Sequence, residues 1–234
     1  MNSRDLLDSS ARLSRELLAI IHDEPSTIDQ IAAGIVHAAT SLLPEHGIAV
    51  TLHVDRAHSI HAGSTPTVEE LVALETRTRT GPATRAARDL RPADHDGLTD
   101  GTGDAWAAAL ERAGFCAVLA VPIEVGGTAA GVISVHQPGI PTFAERDRDS
   151  VMMLAQQAAL VVEGGRRIVQ LRDAVISRDV IGQAKGILMS RYGIDATTAF
   201  GRLVEASQDM NVKLVDIARW YVTDQDGAAP SRPS

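Results

Sequence analysis

The segment from Arg178 to Val222 contains three apolar runs at helical spacing, separated by residues that end or begin helices. Gly193 is placed to end the first run, and Asp195 and Asn211 are placed as N-caps of the second and third. The predicted apolar faces comprise Ile181, Ala184 and Leu188, then Phe200, Leu203 and Val204, then Leu214, Ile217, Ala218 and Tyr221. The segment therefore predicts a unit of one long and two short helices without a strand.

Three residues of the first helix have side chains suited to nucleic acid. Arg178, Lys185 and Tyr192 stand seven residues apart, so they form one stripe along the helix. Two cations suit a phosphate backbone, and a tyrosine ring suits a stacked base. A solvated helix face is the alternative. The chain has only two lysines, Lys185 and Lys213, and both lie in this unit, which favours binding.

Two glycines, Gly182 and Gly186, stand four residues apart on the same helix. They leave a bare patch where another backbone could approach closely. The alternative is ordinary helix packing, although each glycine lowers helix propensity.

At these residues the chain resembles a known family. The strings SRDVIGQAKGILMSRYGIDATTAF and LVEASQDMNVKLVDIA resemble the ANTAR domain, an RNA-binding transcription antitermination module. The resemblance implies a dimer that binds hairpins in nascent leader transcripts and so prevents a terminator from forming. The RNA surface it implies comprises Arg178, Gln183, Ala184, Lys185, Gly186, Met189, Ser207, Asn211 and Lys213, and the stripe adds Tyr192.

The charge of the chain is unevenly distributed. The whole chain carries a formal net charge of −8, which argues against a nucleic-acid partner. Residues 166–234 nevertheless contain ten Lys or Arg and eight Asp or Glu, a net charge of +2, and the remainder carries −10. Such a mildly basic unit favours recognition of shape and loop bases over a broad electrostatic grip.

Several features predict a cytoplasmic regulator. There is no run of eighteen apolar residues and no charged-then-apolar leader, so no membrane span or signal peptide is expected. A single cysteine, Cys116, excludes an internal disulfide framework. No arrangement typical of a catalytic site is present, so we expect no enzymatic activity and no cofactor.

The upstream part of the chain predicts an antiparallel sheet with helices packed against it. The segment GIAVTLHVD alternates as a half-buried strand, and a Gly126–Gly127 turn joins two β-prone runs. The predicted helices are 4–21, 27–43, 67–79 and 143–163, the strands 48–55, 58–62, 115–123 and 129–137, and the loop 81–103.

Residues 25–163 resemble the GAF domain, most clearly in GFCAVLAVPIEVGGTAAGVISVHQPGIPTF. The resemblance implies a sensory fold that binds a small molecule. Position 83 is Ala where relatives often have the Cys that attaches a chromophore. His53, His58 and His61 are poorly arranged for a metal site, and surface histidines are the default interpretation.

Apolar residues recur every seven positions in the segment that joins the GAF-like and ANTAR-like parts. Leu154, Val161, Ile168 and Val175 predict one line of a coiled-coil seam, a helical arm that pairs two chains. Gly164 and Gly165 weaken this helix and predict a hinge. The alternative is that the segment is simply the last helix of the sensor, followed by a break.

The sequence therefore predicts an α+β homodimeric regulator: a GAF-like antiparallel sheet with flanking helices, then a helical arm and a three-helix ANTAR-like unit. The expected domains are 1–163 and 164–225, with a disordered tail at 226–234. Expected partners are leader-transcript RNA, a second copy and a small molecule, with no membrane and no metal. The alternatives are a DNA-binding helix-turn-helix regulator and a protein–protein signalling adaptor.

Overall fold

A computed structural model describes residues 27–55, 58–95 and 105–223 of the 234-residue chain. The chain divides into two compact units, Met1–Arg167 and Ile168–Ser234. The predicted helix 4–21 and the predicted disordered tail 226–234 lie outside the described residues.

The first unit is built on a five-stranded antiparallel sheet with the strand order β2-β1-β5-β4-β3. The strands are β1 (Gly47–His53), β2 (Ser59–Gly63), β3 (Ala93–His95), β4 (Phe115–Val125) and β5 (Thr128–Pro138). The β4–β5 hairpin turns through Gly126 and Gly127, whose φ angles of 59° and 77° suit a two-residue turn. The predicted α+β fold and this turn are confirmed.

One face of the sheet packs against two helices. Helix α1 (Ile28–Leu42) starts at a capping box in which Thr27 and Gln30 bond each other's backbone amides. Its Ile31 and Ile35 join Ile48, Val50, Leu52 and the first half of the long helix in the largest core cluster.

The other face is covered by three shorter helices, α2 (Pro66–Thr78), α3 (Pro82–Asp89) and α4 (Ala105–Arg112). The prediction of a loop over 81–103 was wrong for its described part, because α3 and β3 fall within it, and residues 96–103 lie outside the described residues. Ala86 of α3 is buried against Ala120 and Val132 of the sheet, and this tertiary contact stabilises a helix with few apolar residues. Helix α4 was also missed.

The long helix α5 runs without a break from Glu145 to Tyr192. Leu154 and Val161 are buried in the core of the first unit, so their predicted role in a two-chain seam is wrong. Gly164 and Gly165 are helical and do not interrupt α5, so the hinge stays a prediction. A Cβ added at Gly165 would lie 2.3 Å from Cδ1 of Ile31, so this glycine permits close packing of α5 on α1.

The second unit contains the end of α5 together with α6 (Ala196–Met210) and α7 (Leu214–Thr223). Gly193 ends α5 with a φ of 62°, and Asp195 caps α6 by accepting from the amide of Thr198 at 2.7 Å. Both of these predictions are confirmed. Phe200 was wrongly placed on the apolar face of α6, because 44% of its surface is exposed.

Asn211 was also wrongly assigned. It is the C-cap of α6, in the left-handed conformation at φ 52° and ψ 41°, and not the N-cap of α7. Asparagine tolerates this backbone conformation better than most residues, so the same side chain suits either end of a helix.

A buried histidine makes the stability of the first unit dependent on pH. His136 on β5 is fully buried, its Nδ1 lies 3.3 Å from the carbonyl of Gly47, and burial lowers the pKa of the ring to about 4. As the pH falls below the ordinary value of 6.5, the unfolded chain binds the proton first, so stability is lost between 6.5 and about 4.

We therefore predict that His136→Gln removes part of the acid sensitivity. Between about pH 7.5 and about pH 5, the wild type should lose about 2 kcal/mol more unfolding free energy than the variant. Urea titrations at both pH values measure this difference. Equal losses in the two proteins would contradict a neutral, buried His136.

Candidate nucleic-acid interface and sensor cavity

The second unit has a small core that fixes which side chains face solvent. Ala184 and Leu188 of α5 pack with Ala199 and Leu203 of α6 and Ile217 of α7, all of them buried. The predicted contact of Ala184 with RNA is therefore wrong, because its side chain is 0% exposed and belongs to this core.

Arg178, Lys185 and Tyr192 form a stripe beside this core, which we name the α5 stripe. Residues seven apart on a helix differ by only about 20° in direction, so the three side chains share one side of α5. Arg178 is exposed, Lys185 is half-buried and Tyr192 is 49% exposed. Within the described parts of the chain, no carboxylate pairs with Arg178, Lys185 or Lys213.

Gly182 and Gly186 border the α5 stripe. Gly182 lies about 60° from Lys185 around the helix and Gly186 about 100°. A Cβ built on either glycine meets no described atom within 4 Å. No packing within the described residues therefore explains the glycines, and the surface beside Lys185 is bare backbone.

Not all residues of the predicted surface lie together. Gln183 is exposed, but it precedes Lys185 by two residues and therefore lies about 200° away, on the opposite side of α5. Met189 lies about 40° from Lys185 and is half-buried against the core.

Ser207 and Asn211 shape the turn that precedes Lys213. The amide of Val212 donates to the carbonyl of Ser207 at 3.1 Å, and the Ser207 hydroxyl donates to the carbonyl of Val212 at 2.7 Å. The amide of Asn211 closes the last turn of α6. Both residues therefore position the exposed Lys213, whose carbonyl accepts from the amides of Asp216 and Ile217 in the first turn of α7.

Sequence reasoning did not predict that Arg202 and Tyr221 lie beside Tyr192. The guanidinium of Arg202 lies 5.0 Å from the centre of the Tyr192 ring, a cation–π contact. Burial raises the pKa of Tyr221, and the nearby Tyr192 hydroxyl raises it further. Arg202 directly precedes the buried Leu203, so its position at the rim of the core was the available signal.

The first unit contains a cavity of about 440 Å³ between the sheet and helices α2 and α3. Its apolar lining consists of Val72, Ala83, Ala87, Ala129 and Val132. Its polar and charged lining consists of Thr51, His53, Ser59, Glu75, Thr76, Arg79, Thr84 and Arg88.

Arg166 of α5 bonds the strand ends beside this cavity. Its guanidinium donates to the carbonyl of His53 and, at 3.3 Å, to that of Ala130. His53 and Ala129, the neighbour of Ala130, both line the cavity. Burial lowers the pKa of His53, and the charge of Arg166 lowers it further.

The three histidines of the first hairpin do not converge. His53 bonds Ser59, His61 bonds Thr51 and the exposed His58 pairs with Asp55. Across the described ranges, no cluster of three or more His, Cys, Asp or Glu could hold a metal ion. Nor does any helix in these ranges combine the length and apolar character needed to cross a membrane.

Comparison with family models identifies both units. The GAF domain model matches residues 25–163, and the ANTAR domain model matches residues 169–220. The chain belongs to the GAF domain family and carries a C-terminal ANTAR domain. GAF is a sensor domain and ANTAR an RNA-binding antitermination domain, so both are regulatory rather than catalytic. No curated protein matches the chain.

Solved structures similar to the chain share its fold at low sequence identity. An N-acylhomoserine lactone dependent LuxR family transcription factor from Burkholderia cenocepacia is 16% identical, with a TM-score of 0.51 over 69% of this chain and 96% of that one. A domain of a two-component sensor histidine kinase protein from Sinorhizobium meliloti is 14% identical, with a TM-score of 0.50 over 63% and 98%. These likenesses concern the fold alone.

Proposed function

We propose that this GAF–ANTAR protein is a homodimeric antitermination regulator. Its ANTAR domain binds hairpins in nascent leader transcripts, and its GAF domain controls that binding through a small molecule. Binding to nascent transcripts requires a cytoplasmic protein. The observation that carries the proposal is the α5 stripe with its bordering glycines: cations without a carboxylate partner among the described residues, an exposed tyrosine ring and glycine backbone that no described side chain covers.

The chemistry of this surface favours RNA over duplex DNA. An exposed tyrosine with a guanidinium beside its ring suits an unstacked loop base, which a hairpin offers and a duplex does not. A helix-turn-helix reader would instead use the start of α7. There Asp216 pairs with Arg219 at 3.0 Å, which leaves only the one cation, Lys213, among the first residues.

A charge-matched pair of variants tests the RNA surface. We predict that Lys185→Ala weakens binding to a leader-transcript hairpin about tenfold and lowers the salt slope by about one. Arg219→Ala removes a cation of the same domain that is already paired with Asp216, so it should bind almost normally. Gel-shift titrations at several salt concentrations measure both, with duplex DNA of the same sequence as competitor.

The proposed function is refuted if Lys185→Ala and Arg219→Ala bind the hairpin equally well while both melt normally. Tighter binding to the duplex DNA would favour the helix-turn-helix alternative. If the protein binds neither the RNA hairpin nor the duplex DNA, the adaptor alternative is favoured.

The bare glycines give a second prediction, in which stability and binding change in opposite directions. Gly186→Ala should stabilise α5 by about 1 kcal/mol, because alanine has the higher helix propensity and its methyl group meets no described atom. The same methyl group should weaken hairpin binding, because it blocks the close approach of the RNA backbone.

Gly201→Ala is the matched control. Gly201 is also helical and equally open, but it lies on α6 about 200° from the buried Ala199, away from the core. It should raise the melting temperature without changing RNA affinity. If Gly186→Ala binds the hairpin as tightly as the wild type, the RNA does not approach this part of α5.

The proposed dimer contact keeps only the second half of the predicted seam, which lies in the part of α5 that belongs to the second unit. Ile168, Leu171 and Val175 are exposed at spacings of three and four residues, as in a coiled coil. Leu171 and Val175 are 68% and 60% exposed, large values for apolar side chains. A second copy of the chain presents the same three apolar side chains, so the two copies can bury these side chains against each other.

We predict that Leu171→Asp combined with Val175→Asp gives a monomer by light scattering, because each charge would be buried unpaired in the seam. Ile140→Asp, at an exposed position after β5, is the control and should stay dimeric. A double variant that stays dimeric would locate the contact elsewhere.

A further inference from the structure

We infer that the small molecule bound by the GAF domain is an organic anion with an apolar body and a single acidic group held by Arg79. This inference rests on the proposed function, since it names the ligand class of the proposed sensor site. The volume of about 440 Å³ lies in the range of pockets for small molecules.

The walls of the cavity favour an apolar body. Ala83 and Ala87 of α3 face the cavity with the small side chains that leave it open, and Val72 and Val132 line it as well. An apolar ligand of matching size would gain free energy in proportion to the surface it buries there.

On the sheet side, hydroxyl groups and histidine Nδ1 atoms bond each other within the protein. The hydroxyl of Thr51 bonds Nδ1 of His61 at 3.0 Å, and Nδ1 of His53 bonds the hydroxyl of Ser59 at 3.0 Å. A ligand rich in hydroxyl groups would have to break such pairs without an equal replacement. This wall therefore disfavours a sugar-like ligand.

Two of the three charged side chains that line the cavity are already compensated. Arg88 forms a bidentate ion pair with Asp89, with N–O distances of 2.7 and 2.9 Å. Oε1 of Glu75 accepts from the amides of Ala83 at 2.7 Å and Thr84 at 3.1 Å, so its negative charge lies at the N-terminus of α3. Neither side chain attracts a charged ligand strongly.

Arg79 is the third charged residue of the cavity lining, and its charge is not compensated in the same way. No hydrogen bond or ion pair to its side chain occurs within the described residues. Its guanidinium is therefore available for a carboxylate, which it can bind through two parallel hydrogen bonds. A single uncompensated cation at a largely apolar cavity predicts one acidic group on the ligand.

The backbone of Arg79 supports a role for its side chain. Arg79 caps the end of α2 in the left-handed conformation, at φ 55° and ψ 31°. Glycine is the usual residue at such a cap, because a Cβ disfavours the left-handed conformation. An exposed arginine thus stands at a strained backbone position among the residues that line the cavity.

The test uses decanoate as the probe and decanol as its neutral match. Calorimetric titration of the full chain should show decanoate binding about tenfold more tightly than decanol. Arg79→Gln should remove this preference by weakening decanoate and leaving decanol unchanged. Arg77→Gln, which removes a cation of the same helix outside the cavity lining, should keep it.

Three outcomes would overturn the inference: equal binding of decanoate and decanol, no binding of decanoate, or a preference that survives Arg79→Gln. Ala87→Phe, which fills the cavity, should abolish binding of both probes, and unchanged binding in a folded variant would also overturn it. Hairpin binding by the same proteins without probe tests the proposed function separately. Intact RNA binding without a decanoate preference refutes the ligand class alone.

Discussion

Helix α5 packs its first half on one face of the antiparallel sheet, where Leu154, Ala158 and Val161 are removed from water together with Ile31 and Ile35 of α1. The leucine, valine and isoleucine side chains among them each contribute roughly 2 kcal/mol by burial. This packing commits the first half of α5 to the GAF domain. The outer side of this first half still exposes Met152 and Leu160, and beyond it Leu171 and Val175 are exposed at the proposed dimer contact.

The heptad spacing in the sequence could not separate these two roles. Leu154, Val161, Ile168 and Val175 recur at sevens, yet the first two are buried in their own chain and the last two are exposed. An apolar stripe indicates that a helix face is covered, but not by what. The same limit applies to Gly165, which was interpreted as a helix breaker and instead lies against Ile31 in a continuous helix.

Local sequence signals predicted the helix ends best where a residue type has only one structural role. Gly193 and Asp195 end and start helices as expected. Asn211 suits both a left-handed C-cap and an N-cap, so the sequence alone did not distinguish them. The contact of Arg202 with Tyr192 joins two helices and has no local pattern at all. Helix α3 was missed for a related reason, since its stability depends on the burial of Ala86 against distant strands.

The arrangement of charge in the ANTAR domain has a consequence for chemical probing. Lys185 and Lys213 are the only lysines of the chain, and both are at least partly accessible. Amine-reactive reagents that modify side chains therefore have two targets, and both belong to the proposed interface. Their labelling would follow occupancy of that surface with almost no background from the sensor, whose many basic side chains are all arginines.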